Sequence, residues 1–221
     1  FFCRDGDGRI CNHFSIPAAT LAKMVADTSI AISTEETRYY LNGIYLHPNA
    51  DKLVFVATDG HRLAKSQIPA PMGAENFAGI IIPRKTVSEY ARLLKDFGSD
   101  VAISLSKSKI RLTAGPTVLT SKLIDGTFPD YTRVIPALDQ NNSFTVNASQ
   151  TIAALERVST VASDRGNAVK FRASGEELEL SVTTPEGQNA SDIVEAETTI
   201  QSGNQDLVIG FNSIYARDLL N

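Results

Sequence analysis

Two stretches of this chain repeat one pattern, and the repeat constrains the fold more than any other feature. Phe14-Ser15-Ile16 opens the first copy, and Phe144-Thr145-Val146 opens the second, 130 positions later. Each is followed by apolar residues at helical spacing. Leu21, Met24, Val25 and Thr28 mark the first helix, from Pro17 to about Thr28, and Ile152, Leu155 and Val158 mark the second, from Ala148 to about Val161. Pro17 suits the first turn of a helix, and Ser15 is placed to cap it. A hairpin then follows in both copies. In the first, Gly43–Leu46 leads through Pro48-Asn49-Ala50-Asp51 to Leu53–Ala57; in the second, Val169–Phe171 leads through Ser174-Gly175-Glu176 to Leu178–Val182. The second strands align at 125 positions, so the copies differ by a few loop residues.

The first copy reads on to its end. Ile80-Ile81-Ile82 is a strand, and Pro83 starts a helix with Val87, Tyr90, Ala91 and Leu94 on its apolar stripe. Gly98 is the expected terminator. Alternating strands follow at Val101–Leu105, Ile110–Thr113 and Val118–Leu123. This order of helices and strands predicts an α+β fold: repeated domains, each with two helices packed on a largely antiparallel sheet. The second copy reaches Ile214–Leu220, where its second helix begins. The expected division is a remnant of an earlier unit over 1–13, a complete unit over 14–137, and a C-terminally truncated unit over 138–221. The opening residue is Phe, not Met, so the true N-terminus is expected upstream.

The chain has 221 residues, 43% of them hydrophobic, enough for a real core. No apolar run approaches the roughly 18 residues that span a bilayer. The opening Phe1-Phe2-Cys3-Arg4-Asp5 turns polar at once, so no secretory signal is expected. Cys3 and Cys11 read as free thiols of a cytoplasmic chain, with a disulfide as the alternative. The net charge of −4 argues against a tight, conventional DNA binder but allows basic residues confined to one surface.

Catalytic and metal-binding patterns are missing from the sequence. Cys3-x-Asp5-x-Asp7-Gly8 has the outline of a calcium loop, yet it begins on Cys and has Phe14 where the last ligand, Glu, belongs. His13, His47 and His61 are scattered without metal-ligand spacing. Asp59 and His61, with Asp130, could serve an acid–base enzyme, but no nucleophile stands near them in sequence. Asp59-Gly60 is read instead as a tight turn between strands.

Three motifs carry a family resemblance. Arg38-Tyr39-Tyr40-Leu41-Asn42-Gly43, Val56-Ala57-Thr58-Asp59-Gly60-His61-Arg62-Leu63-Ala64 and Asp125-Gly126-x-Phe128-Pro129-Asp130-Tyr131-x-Arg133-Val134-x-Pro136 stand in this order. Together they resemble the middle domain of the bacterial DNA sliding clamp, the beta subunit of DNA polymerase III holoenzyme. Ile82-Pro83-Arg84-Lys85 is similar to the start of that domain's second helix. Ile209-Gly210-Phe211-Asn212, with Tyr215 and Leu219-Leu220, is similar to part of the third.

The resemblance implies a DNA-clamp fold and a non-enzymatic replication processivity factor without cofactors. It implies a homodimeric ring around double-stranded DNA, read without sequence specificity. Its implied partners are the replicative polymerase catalytic subunit, the clamp loader and other proteins with a clamp-binding motif. Tyr39 and Tyr40 match DNA-touching positions. On the hole-facing helix, Arg84, Lys85, Arg92 and Lys95 stand against Glu89 and Asp96. A nearby family contact is polar and uncharged, whereas this chain has Glu35. The implied partner-peptide pocket is Leu41, Thr58, Gly60, His61, Arg62, Leu63, Pro129, Arg133 and Val134. Thr160 and Val161 match the subunit interface.

Overall fold

The computed structural model describes residues 12–137, 142–161, 167–200 and 206–221. Cys3 and Cys11 lie outside the described residues, as does nearly all of segment 1–13. The chain divides into two compact units, Phe1–Asp130 and Tyr131–Asn221.

The first unit opens with β1 (Asn12–Pro17), which runs directly into α1 (Ala18–Ser29). Burial alternates along β1, and Phe14 and Ile16 face the core. Ser15 points the other way and pairs with Ala102 on β6 (Asp100–Leu105). It therefore does not cap α1. The residue before the helix is Pro17, whose φ of −54° turns the corner from strand to helix without any side-chain cap. α1 buries Leu21, Met24, Val25 and Thr28, the stripe expected from spacing. The buried Thr28 hydroxyl donates to the Met24 carbonyl at 2.7 Å, so no polar group is stranded there.

β2 (Gly43–Asn49), β3 (Lys52–Thr58), β4 (Leu63–Pro69) and β5 (Ile80–Pro83) pair antiparallel in the order β4-β3-β2-β5. β1 joins β6, β7 (Lys109–Ala114) and β8 (Thr117–Lys122) in a second antiparallel sheet, β1-β6-β7-β8. The first unit thus holds two sheets where the sequence pattern predicted one. α2 (Arg84–Leu94) packs beside α1. It ends before Gly98, which does not adopt the positive φ of a terminal cap. One core joins Leu46 and Phe55 of the first sheet, Ile103 and Leu112 of the second, and Leu21 and Tyr90 of the helices. Each such buried aliphatic or aromatic side chain stabilises by about 1.5–3 kcal/mol.

β3 is buried from Leu53 to Ala57 without alternation, because both of its faces are covered. On the face away from the helices, Tyr45 and His47 sit across from Val56 and Val54. Phe128 stacks on Tyr45 with ring centroids 4.8 Å apart and planes 3° apart, and His47 stacks on Tyr45 at 4.8 Å. The Asp125–Pro129 stretch is pinned to the unit by this aromatic column and by the bridge between Ile124 and Ile81.

The second unit repeats the order. β9 (Ser143–Val146) leads to α3 (Ala148–Ser159), then β10 (Ala168–Ser174), β11 (Glu177–Thr183), β12 (Asn189–Thr199), β13 (Leu207–Asn212) and α4 (Ser213–Leu220). The sheet order β12-β11-β10-β13 reproduces β4-β3-β2-β5 strand for strand. The duplication read from spacing is therefore a duplication of topology. Two local differences stand out. β9 pairs with β12, whereas β1 pairs with β6. Leu219 holds the seventh position of α4 as Tyr90 does of α2, yet Leu219 is 76% exposed and Tyr90 is 1% exposed.

Candidate functional site

One end of the β4-β3-β2-β5 sheet gathers three segments. Gly43 of β2 pairs with Pro83 of β5 there, and Thr58 of β3 with Leu63 of β4. The loop 33–42 enters at this end, the Thr58–Leu63 turn caps it, and α2 starts from it. The Arg84 N–H donates to the Asn42 carbonyl at 2.9 Å, which fixes the helix start beside the loop. Gly43 is required at this junction, since a Cβ there would stand 2.1 Å from the Ile82 carbonyl oxygen.

The turn is organised by Asp59. One carboxylate oxygen accepts from the His61 N–H at 2.9 Å and the Arg62 N–H at 3.0 Å; the other accepts from Arg62 Nε at 3.1 Å. Thr58 Oγ1 donates to the Arg62 carbonyl at 2.7 Å and accepts from the Gly60 N–H at 3.1 Å. Gly60 takes a φ of +92°, where only glycine is unstrained. Burial pushes the Asp59 carboxyl up, but the His61 and Arg62 amides and the Arg62 guanidinium outweigh it and hold it below its usual value. Asp59 thus serves the backbone of His61 and not its ring. This is the tight turn expected from Asp-Gly, built as an Asx turn.

The tyrosine segment is a 3-10 turn, Tyr39–Leu41. Its hydrogen bonds run from Leu41 N–H to Arg38 and from Asn42 N–H to Tyr39. The tight winding separates neighbours: Leu41 is 4% exposed and Tyr39 is 52% exposed. Tyr40 is half-buried, and its ring meets Tyr39 edge-on at 5.8 Å. Glu35, in the same loop, is ion-paired to Arg38 at 2.8 Å. That bond is the main reason its carboxyl is held below the usual value.

The other expected residues fall as follows. Thr58, Arg62 and Leu63 are half-buried, and Gly60, His61 and Pro129 are exposed. Arg133 and Val134 are exposed on a 3-10 turn, Tyr131–Val134, of the second unit. Thr160 closes α3, with its hydroxyl donating to the Arg157 carbonyl at 2.7 Å, and Val161 packs on the second core. Arg84, Lys85 and Arg92 of α2, and Lys95 at its C-cap, are all exposed, while Thr86, Val87, Tyr90 and Leu94 are buried. Arg92 is paired with Glu89. Sequence reasoning missed the roles of Arg38 and Phe128. The Asp-Gly pair carried a signal for the Asx turn, but nothing local signalled the reach of Arg38 across to it.

Among the described residues, no group of three or more His, Cys, Asp or Glu could hold a metal ion, and no helix is long and apolar enough to cross a membrane. Repeated units of this topology define the DNA-clamp fold. Residues 15–130 match the family described as "DNA polymerase III beta subunit, central domain", and residues 132–221 match "DNA polymerase III beta subunit, C-terminal domain". The chain belongs to the DNA polymerase III beta subunit family, the bacterial sliding clamps. It is 39% identical over 214 residues to the beta sliding clamp of Caulobacter vibrioides, covering 95% of this chain and 56% of that protein. Among solved structures, the Bartonella birtlesii sliding clamp bound to griselimycin is 47% identical, with a TM-score of 0.86 over 94% of this chain and 56% of the other. A Pseudomonas aeruginosa sliding clamp with ligand is 35% identical, with a TM-score of 0.85 and the same coverages. The chain spans about half the length of the curated relatives it matches.

Proposed function

We propose that this chain supplies two consecutive domains of a ring that encircles duplex DNA and tethers the replicative polymerase, a cytoplasmic processivity factor that makes and breaks no bond. The first unit is the middle domain and the second is the third domain; the ring is a homodimer, joined in part through the region of Thr160 and Val161. Tyr39, Tyr40, Arg84, Lys85, Arg92 and Lys95 face the DNA. Their contacts go to phosphates and base faces, so any sequence can pass. Leu41, Thr58, Gly60, His61, Arg62, Leu63 and Pro129 belong to the surface that takes a short peptide with apolar anchors from the polymerase, the clamp loader and other proteins with the same motif.

The observation that carries this reading is the sheet end. An exposed tyrosine, the start of a basic helix and a rigid Asx turn meet there, in a chain whose net charge is −4. Charge localised on one helix of an acidic body tolerates phosphate without holding it tightly.

Two measurements on the intact subunit test the reading. Replacing Arg84, Lys85, Arg92 and Lys95 by Gln is expected to shorten primer extension per binding event, more so as salt rises. Unchanged processivity refutes the DNA-facing assignment. A labelled peptide from the polymerase C-terminal tail is expected to bind about tenfold more weakly to Leu63→Ala, and equal affinity refutes the peptide surface. An enzyme built on Asp59 and His61 would instead lose turnover in His61→Ala while keeping the peptide.

A further inference from the structure

One side chain joins the loop that carries Tyr39 to the turn that carries Gly60. Arg38 Nε donates to Glu35 Oε2 at 2.8 Å, and its Nη2 lies 2.8 Å from Glu35 Oε1. The same Nη2 donates to the Asp59 carbonyl at 3.1 Å. The guanidinium lies over Gly60, so that a Cβ on Gly60 would stand 2.5 Å from Nη1. Glu35 is itself anchored: its N–H donates to Ser33 Oγ at 3.1 Å, and its carbonyl accepts from Asn42 Nδ2 at 3.0 Å. The Asp59 carboxylate holds the turn from within, and Arg38 holds the Asp59–Gly60 peptide from outside. A planar fork can grip a carboxylate with two nitrogens and still reach a carbonyl; an ammonium cannot do so with the same geometry.

We infer that Arg38 is a positioning residue for the peptide-docking turn, and that Glu35 sets its position. This rests on the reading of that turn as a peptide surface. With Arg38 in place the turn presents Leu63 in one geometry, so binding does not have to order it. Glu35 thus has a structural use at a position where the family resemblance implied an uncharged residue.

The test titrates the intact subunit with a fluorescein-labelled peptide from the C-terminal tail of the cognate polymerase. Arg38→Lys keeps the charge but loses the fork, and is expected to bind about fivefold more weakly. Glu35→Gln is expected to weaken binding about twofold. Both are expected to speed hydrogen exchange at the His61 and Arg62 amides while thermal unfolding stays unchanged. The sign for Glu35→Gln is decisive. If Arg38 acted only by touching the peptide, releasing it from Glu35 would leave binding equal or tighter. Wild-type affinity in Arg38→Lys, or equal or tighter binding in Glu35→Gln, overturns the inference. Leu63→Ala is run alongside. If it also binds like wild type, the peptide surface itself is wrong; if it alone weakens binding, only the role of Arg38 is wrong.

Discussion

Replacing Asp59 by Ala removes the acceptor that shapes the Thr58–Leu63 turn. Three donors lose this acceptor: the His61 and Arg62 amides at 2.9 and 3.0 Å, and Arg62 Nε at 3.1 Å. The Asp59 side chain is 16% exposed and the Arg62 side chain 23%, so water replaces these bonds only in part. A lost capping acceptor costs about 0.5–2 kcal/mol. A partly exposed ion pair adds up to about 1 kcal/mol. The sum points to roughly 2 kcal/mol in urea unfolding followed by circular dichroism, with an unchanged slope. Asp59→Asn keeps one carbonyl oxygen for the amides and is expected to cost about half as much. The pH dependence has a definite sign. The folded carboxyl lies below its ordinary value of 3.8, so the unfolded chain binds the proton more readily. Its stabilisation is complete above that ordinary value and disappears as pH falls through the folded one. The wild-type advantage over Asp59→Asn should therefore be constant from neutral pH to about pH 5 and shrink below pH 4. A loss under about 0.3 kcal/mol in Asp59→Ala, or an advantage independent of pH down to 2, refutes the claim that the carboxylate builds the turn.

Four further outcomes test the packing. Tyr90→Phe should stabilise slightly or be neutral, within about 1 kcal/mol, because the buried hydroxyl has no hydrogen-bond partner among the described residues; a thermal melt that falls by several degrees would show a hidden partner. Burial pushes the Tyr90 phenol well above its ordinary value, so spectrophotometric titration of the folded protein should show Tyr90 not ionising with exposed tyrosines. Gly43→Ala should destabilise by about 1–3 kcal/mol, since its Cβ meets the Ile82 carbonyl at 2.1 Å; wild-type stability in urea would mean that β2 and β5 separate there at no cost. Asn147→Ala should cost about 1 kcal/mol, because its side chain accepts from the Gln150 N–H at the start of α3 at 3.1 Å; an unchanged unfolding midpoint would deny the cap.

What could be read before the structure was mostly what is local. The helices α1 and α3 fell where Leu21, Met24 and Val25, and then Leu155 and Val158, predicted them, because a period of 3.6 needs only neighbours in sequence. The hairpin turns at Ala50 and Gly175 adopt positive φ where the polar turns were read. Ser15 misled because a serine before an apolar run looks like a cap. Its strand pairs with Asp100–Leu105, more than eighty residues away, and that pairing claims it. Tyr39–Leu41 carries no helical or strand period of its own, and its 3-10 turn lies in the connection from α1 to β2.

The sequence by itself determined the duplication, the α+β class and the family, since each is carried by spacing and residue type along the chain. Only the tertiary structure decided how the strands divide into two sheets in the first unit. It also decided which of Tyr39, Tyr40 and Leu41 is buried, and that Arg38 reaches the Asp59 carbonyl 21 positions away. The reason is physical. Periodicity records which face of an element avoids water, but it does not say which distant element covers that face. The site is made of such distant contacts: a loop, a turn and a helix start that meet only because β2, β3, β4 and β5 pair in one register.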